Sequence, residues 1–167
     1  IPPIEAMVML LILYRLKQEE FGNLGNLLMA VLFLTVIPIC SYPIASRKRG
    51  EQDMRNNQRN MAFIFNFLSY LAAMLIGYCV GCTRMLQWIL NGYFLAVLIL
   101  TIVNKVFKIR ASGHACSCTF PYLILSYYFG GYVTVICLIL YLAEFWASVE
   151  LKRHTTKEFL GGTIVAW

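Results

Sequence analysis

The sequence predicts an all-α, polytopic transmembrane helix bundle of about six helices, preceded by a short N-terminal apolar segment, in a single domain spanning 1–167. Three observations lead there. Of 167 residues, 60% are apolar and 13% charged, against roughly 25% charged in a typical soluble domain. The apolar residues fall in long uncharged runs: 23 residues over Leu24–Ser46, 21 over Met61–Gly81, 20 over Met85–Asn104 and 29 over Ala115–Ala143. A helix crossing a bilayer needs about 20 such residues. Finally, none of these runs carries the charged stripe that amphipathic helices of a soluble core show every three or four residues.

Taken in order, Ile4–Leu16 is apolar but short for a full crossing. A first span runs from about Leu24 to Ala45, and Ser46–Asn60 reads as a polar loop. Helices over 61–81 and 85–104 follow, joined by a short turn at Cys82–Arg84. The long run after His114 carries Gly130 and Gly131 near its middle, which suits two helices, 114–129 and 132–147, with a tight turn between them. A last helix starts at about Thr155. No soluble stretch is long enough for a second domain, and no internal repeat or cleavable signal peptide is evident. Beginning at Ile1 without Met and stopping in an apolar segment at Trp167, the chain reads as truncated at both ends.

Threading these helices back and forth sorts the loops onto two faces. Eleven of the fourteen basic residues, including Arg47, Lys48, Arg49, Arg55, Arg59, Lys105, Lys108, Arg110, Lys152, Arg153 and Lys157, fall on one face, with His114 and His154. Arg15, Lys17 and Arg84 remain on the other. The positive-inside rule alone would make the charged face cytoplasmic. Ionisable groups gathered at helix ends also suit an anionic lipid headgroup, so the orientation stays open.

The residue inventory limits the chemistry. Cys79 and Cys82 form a CxxC, but neither histidine is near them in sequence, and the six cysteines read as small apolar side chains of a helix bundle. With one Asp (Asp53) and two histidines, the chain is not expected to build a metal site, and no metal or other cofactor is expected. Enzymes that hold lipid diphosphates through Mg²⁺ use clusters of Asp, which one Asp cannot supply. A Ser–His protease using Ser112 or Ser117 would need a separately placed oxyanion hole, for which there is no signal.

Two short stretches carry chemistry. In Lys108-Ile-Arg-Ala-Ser-Gly-His114, Ser112 is a good N-cap, Gly113 permits close approach of an anion to the backbone, and the free N–H groups of a helix start attract anions. His114 then falls in the first turn. In Ser148–Glu158, His154 and Glu158 are four apart, a spacing that on a helix lets the carboxylate hold one ring nitrogen. A histidine so oriented is a competent nucleophile. The hairpin between the stretches has arms of roughly 24 Å at 1.5 Å per residue, which returns His154 to the level of His114.

These residues resemble the type 2 phosphatidic acid phosphatase superfamily of membrane lipid phosphatases. That family carries a Lys followed by Arg-Pro, then Pro-Ser-Gly-His, then Ser-Arg-xxxxx-His-xxx-Asp, on a core of six helices. Ser112-Gly113-His114 matches the second motif with Ala111 in place of Pro. His154 matches the third-motif histidine, and Glu158 stands where the family has Asp. The departures are Ala147 and Ser148 at the Ser-Arg pair, and the absence of Arg-Pro in the first motif.

The resemblance implies a metal-independent lipid phosphatase with His154 as nucleophile, Glu158 orienting it and His114 as general acid and base. Lys105, Lys108, Arg110, Ser112 and Gly113 would hold the phosphoryl oxygens, with Arg55, Arg59 or Arg153 as additional cations. The expected partners are a lipid phosphate substrate and membrane lipids, with no nucleic acid. Phosphatidic acid, phosphatidylglycerol phosphate, diacylglycerol diphosphate and polyprenyl phosphates or diphosphates all remain open as substrates. Ser148 in place of Arg keeps open an inactive relative that binds or transports an anionic lipid, and a structural subunit of a larger assembly is a third class.

Overall fold

The computed structural model describes residues 2–45 and 51–167, with the side chains of residues 42, 44, 45 and 51–59 outside that description. Among the described residues there are helices and no strands. Their order is α1 (Pro2–Leu16), α2 (Gln18–Phe21), α3 (Leu24–Val31), a π-helical stretch (Leu32–Val36), α4 (Ile37–Ala45), α5 (Glu51–Val80), α6 (Arg84–Lys105), α7 (Gly113–Phe129), α8 (Gly131–Glu150) and α9 (Thr156–Ala166).

Four segments are long and apolar enough to cross a membrane: Leu24–Ser41, Asn60–Val80, Arg84–Lys105 and Gly131–Glu150. The remaining two of the expected six, α7 and α9, are helical but have 17 and 11 residues. One boundary differs clearly from the expectation. Residues 51–60, read as loop, open α5, which runs 30 residues without a break. No Gly or Pro interrupts Glu51–Leu75, and Glu, Gln, Met and Arg are good helix formers, so polarity there marks a helix extension rather than a loop.

The chain divides into two units, Leu10–Val97 and Ile1–Met9 with Leu98–Trp167. In the first, Asn23 caps α3 by accepting from the Asn26 N–H at 3.0 Å. The π-helical turn changes the backbone pairing between α3 and α4, and Ser69 of α5 donates its hydroxyl to the carbonyl of Phe33 within it. A π-bulge displaces carbonyls from their usual i+4 partners, so a hydroxyl from a neighbouring helix meets a backbone need in an apolar setting. Between α5 and the start of α6, Tyr70 and Tyr93 meet edge to face with centroids 5.3 Å apart. Gln87 adds a bond to the Met74 carbonyl at 3.2 Å.

In the second unit α7 packs against both α8 and α9. Its buried positions are small over the first half, Ala115, Cys116, Cys118, Thr119 and Pro121, with Leu125 the one large buried side chain among those described. Small residues let helix backbones approach closely, the usual basis of packing where lipid removes the hydrophobic drive. The approach is tightest at Gly162 of α9, where a Cβ would run into the carbonyl oxygen of Ser112. Phe159, fully buried, fills the space between α8 and α9 against Tyr141 and Phe145, with ring centroids at 5.8 and 5.3 Å. At the far end of the hairpin, Gly130 and Gly131 both take positive φ (56° and 40°), which explains why two glycines stand there. The large apolar side chains of α8 point outward: Val135, Ile139, Leu142 and Trp146 are all exposed. Small residues inside and large apolar ones outside is the arrangement expected of helices in contact with membrane lipids.

Candidate active site

The two stretches singled out by sequence meet in the unit built from α7, α8 and α9. Ser112 has extended backbone (φ −76°, ψ 115°) and its hydroxyl accepts from the Ala115 N–H at 3.2 Å, so it is the N-cap of α7. Gly113 opens the helix and His114 sits in its first turn. The turn before α9 is built from Ser148, whose carbonyl accepts the N–H groups of Arg153 at 3.1 Å and His154 at 3.4 Å. Lys152 within it adopts φ +52°, a left-handed conformation that reverses the chain after α8. Thr155 then caps α9 in a reciprocal capping box with Glu158, of the kind Thr-x-x-Glu encodes.

These elements bring His114 and His154 face to face. Their ring centroids are 6.4 Å apart and their planes 20° from parallel. Glu158 lies beside His154, its Oε2 3.8 Å from Nδ1, and its Oε1 is 4.0 Å from the Arg110 guanidinium. The His154–Glu158 relation differs from the expected one. His154 precedes the N-cap and is not on the helix, so the two do not share a helical face. The Glu158 Oε2 instead accepts the Thr155 N–H at 3.1 Å, and at 3.8 Å it contacts His154 as a charge rather than as a hydrogen-bond acceptor. The two stretches are also joined through backbone: the Ser112 N–H donates to the Glu158 carbonyl at 2.8 Å.

The expected cations are distributed unevenly. Arg110 reaches the Glu158 carboxylate while remaining largely exposed. Lys105, Lys108 and Arg153 are exposed at the same end of this unit, Lys108 with φ +54°. Arg55 and Arg59 are on α5, with side chains outside the described residues, as are Arg47, Lys48 and Arg49 altogether. Ser148 is buried, and no guanidinium extends from that position.

Asn104 has a role that sequence reading missed. Its amide donates to the Leu100 carbonyl at 2.9 Å and the Ala111 carbonyl at 3.1 Å, and its Oδ1 accepts the Ala111 N–H at 3.3 Å. One side chain thus fastens the loop carrying Lys108 and Arg110 to the end of α6, immediately before the Ser112 cap. The available signal was a lone polar residue ending an apolar run.

A second group lies one turn deeper. His114, Cys118 and Glu144 bring a ring nitrogen, a thiol and a carboxylate oxygen within 4.8 Å of one another. Tyr122, a further turn along α7, donates its hydroxyl to Glu144 Oε1 at 2.8 Å. The expectation that this chain could hardly build a metal site rested on counting Asp and His. It overlooked a Cys and a Glu from different helices, although the His114-Cys118-Tyr122 spacing of four places all three on one face of α7. Cys79 and Cys82 remain free thiols, and Cys82 points its sulfur at Asn26 Oδ1, 3.6 Å away.

Comparison with protein-family models, curated proteins and solved structures yields no match.

Proposed function

We propose that this chain is a divergent member of the type 2 phosphatidic acid phosphatase superfamily, a six-span membrane enzyme. It hydrolyses a lipid phosphate or diphosphate through a phosphohistidine, without metal. The observation that carries the reading is the face-to-face placement of His114 and His154, 6.4 Å between centroids, beside a capped helix N-terminus. Imidazole lone pairs and N–H bonds lie in the ring plane, so a phosphoryl group reaching the edges of this stacked pair would meet a nucleophile from His154 and a proton donor from His114. In the first step a His154 nitrogen bonds to phosphorus, the bond from phosphorus to the lipid oxygen breaks, and that oxygen takes a proton from His114. In the second, water gives a proton to His114 and attacks phosphorus, and the N–P bond breaks to release phosphate. Arg110, Lys108, Lys105 and the N–H groups at the start of α7 supply positive potential to the phosphoryl oxygens. Glu158 favours the charged form of His154 as it is phosphorylated.

The test is phosphate release from phosphatidic acid by detergent-purified protein in the presence of EDTA. Release should persist in EDTA and fall to background in His154→Ala. A His154→Ala protein that retains wild-type turnover would sink the mechanism.

A second reading is favoured by Ser148. With a buried serine where the resembling family has its phosphate-binding arginine, the chain would bind an anionic lipid and turn it over weakly or not at all. Undiminished lipid binding in His154→Ala, with no turnover in the wild type, is its signature.

A further inference from the structure

We propose that His114, Cys118 and Glu144 form a binding site for a soft divalent cation, Zn²⁺ by ligand chemistry, and that the metal takes His114 out of phosphoryl transfer. The three ligand atoms lie within 4.8 Å of one another. Tetrahedral zinc holds sulfur at about 2.3 Å and nitrogen or oxygen at about 2.0–2.2 Å. Neighbouring ligands are then roughly 3.3–3.8 Å apart, so closing the site asks for side-chain rotations of about an ångström.

The donors select the metal. Thiolate, imidazole and carboxylate together suit zinc, while Mg²⁺ and Ca²⁺ take all-oxygen sites. Thiolate and carboxylate also neutralise a divalent charge, which favours binding among apolar helices. Two further observations point to a ligand. Glu144 Oε2 is buried with no hydrogen-bond partner, although Oε1 of the same carboxylate is fixed by Tyr122. The Glu5 carboxyl of α1 lies close enough to Glu144 and Cys118 to interact with both, so a further oxygen donor is near the three.

Metal capture displaces the proton of the Cys118 thiol. Because one imidazole cannot both hold zinc and donate a proton to a leaving lipid oxygen, occupancy and catalysis exclude each other. That consequence rests on the phosphatase reading, whereas the site itself does not.

The binding test therefore stands apart from activity. Purified protein carrying C79S and C82S, which removes the other paired thiols, is titrated with Co²⁺ and Zn²⁺. We expect one metal per chain and a thiolate-to-cobalt charge-transfer band displaced by zinc. C118S should abolish the band, E144Q should weaken binding by about tenfold or more, and C116S, two residues away on α7, should leave both unchanged. Absence of the band, or a band undiminished in C118S, overturns the site. With phosphatidic acid as substrate, zinc should inhibit the parent and EDTA should reverse it, while C118S keeps basal turnover and resists zinc. Equal zinc sensitivity of C118S and parent, with the band lost in C118S, overturns the claimed competition. Loss of all phosphatase activity from the parent would refute the phosphatase reading while the cobalt result still decides the site.

Discussion

The backbone N–H of Ser112 donates to the carbonyl oxygen of Glu158 at 2.8 Å, fastening the start of α7 to the start of α9. This one bond registers the two histidine-bearing stretches through main chain. It survives any substitution of either side chain that keeps the helices folded. Side-chain chemistry at this junction is thereby separable from its architecture, and that separation makes the site testable.

Glu158→Gln should keep the fold and lose rate. Glutamine completes a capping box nearly as well as glutamate, so thermal unfolding in detergent should report a change below about 1 kcal/mol. The negative charge beside His154 and Arg110 is gone, however, and a loss of about 1.4 kcal/mol in transition-state stabilisation is tenfold in rate. We expect phosphate release to fall by about tenfold or more with lipid binding little changed. A rate equal to wild type would remove Glu158 from the mechanism.

Gly162→Ala and Gly161→Ala should differ despite being neighbours. A methyl at 162 meets the Ser112 carbonyl and the Ala115 Cβ, whereas one at 161 finds ordinary contact with Ala111 at 3.6 Å. Ser112 cannot move aside without breaking its bond to Glu158. Overpacking of this kind costs about 1–3 kcal/mol, and it should lower stability and turnover together in Gly162→Ala. Gly161→Ala should be neutral, or stabilising by up to about 1 kcal/mol, because alanine is the better helix former. Similar behaviour of the two variants would contradict the close α7–α9 crossing.

Asn104→Ala should loosen the cation-bearing loop. The amide's three bonds to Leu100 and Ala111 vanish, and unsatisfied backbone groups at a partly buried site cost about 1–3 kcal/mol. Lys108 and Arg110 lose their anchor while His114 and His154 keep theirs. The expected kinetic signature is a KM raised several-fold with a smaller change in kcat. An effect confined to kcat would place Asn104 in the chemistry instead.

How much of this was legible in the sequence follows from which interactions are local. Uncharged runs gave the helices, because periodicity and length are properties of contiguous residues. The Ser112 cap and the Gly130-Gly131 turn were readable for the same reason. His154 and Glu158 do lie side by side, 3.8 Å apart, but not as expected. Their spacing suggested a shared helical face, while Thr155 caps α9 and leaves His154 outside it. The polar 51–60 segment misled because charge was taken as loop where it extends a helix. Asn104 and Glu144 were passed over because their roles depend on partners seven or more residues away, or on another helix; the spacing of four between His114 and Cys118 was legible, but it gains meaning only with Glu144 from α8.

Ser148→Arg is the substitution most able to separate a working phosphatase from a lipid binder. The Ser148 carbonyl accepts the His154 N–H, so a side chain leaving this Cα starts beside the turn that carries His154. Ser148 is buried, so an arginine there needs a counter-charge for its guanidinium, which a phosphoryl group bound beside His154 would supply. Hydrogen bonds from a charged group contribute about 1.5–3 kcal/mol, corresponding to roughly tenfold to a hundredfold in rate when they form in the transition state. We expect kcat/KM for phosphatidic acid to rise by at least about tenfold in Ser148→Arg, with a lower unfolding temperature without substrate that recovers when inorganic phosphate is added. Ser148→Leu, similar in bulk and uncharged, should lose stability with no gain in rate and no recovery by phosphate. A folded Ser148→Arg protein with no gain in rate would mean that Arg110 and the lysines already supply the needed charge. If the wild type were also inactive, the lipid-binding reading would stand in place of the phosphatase.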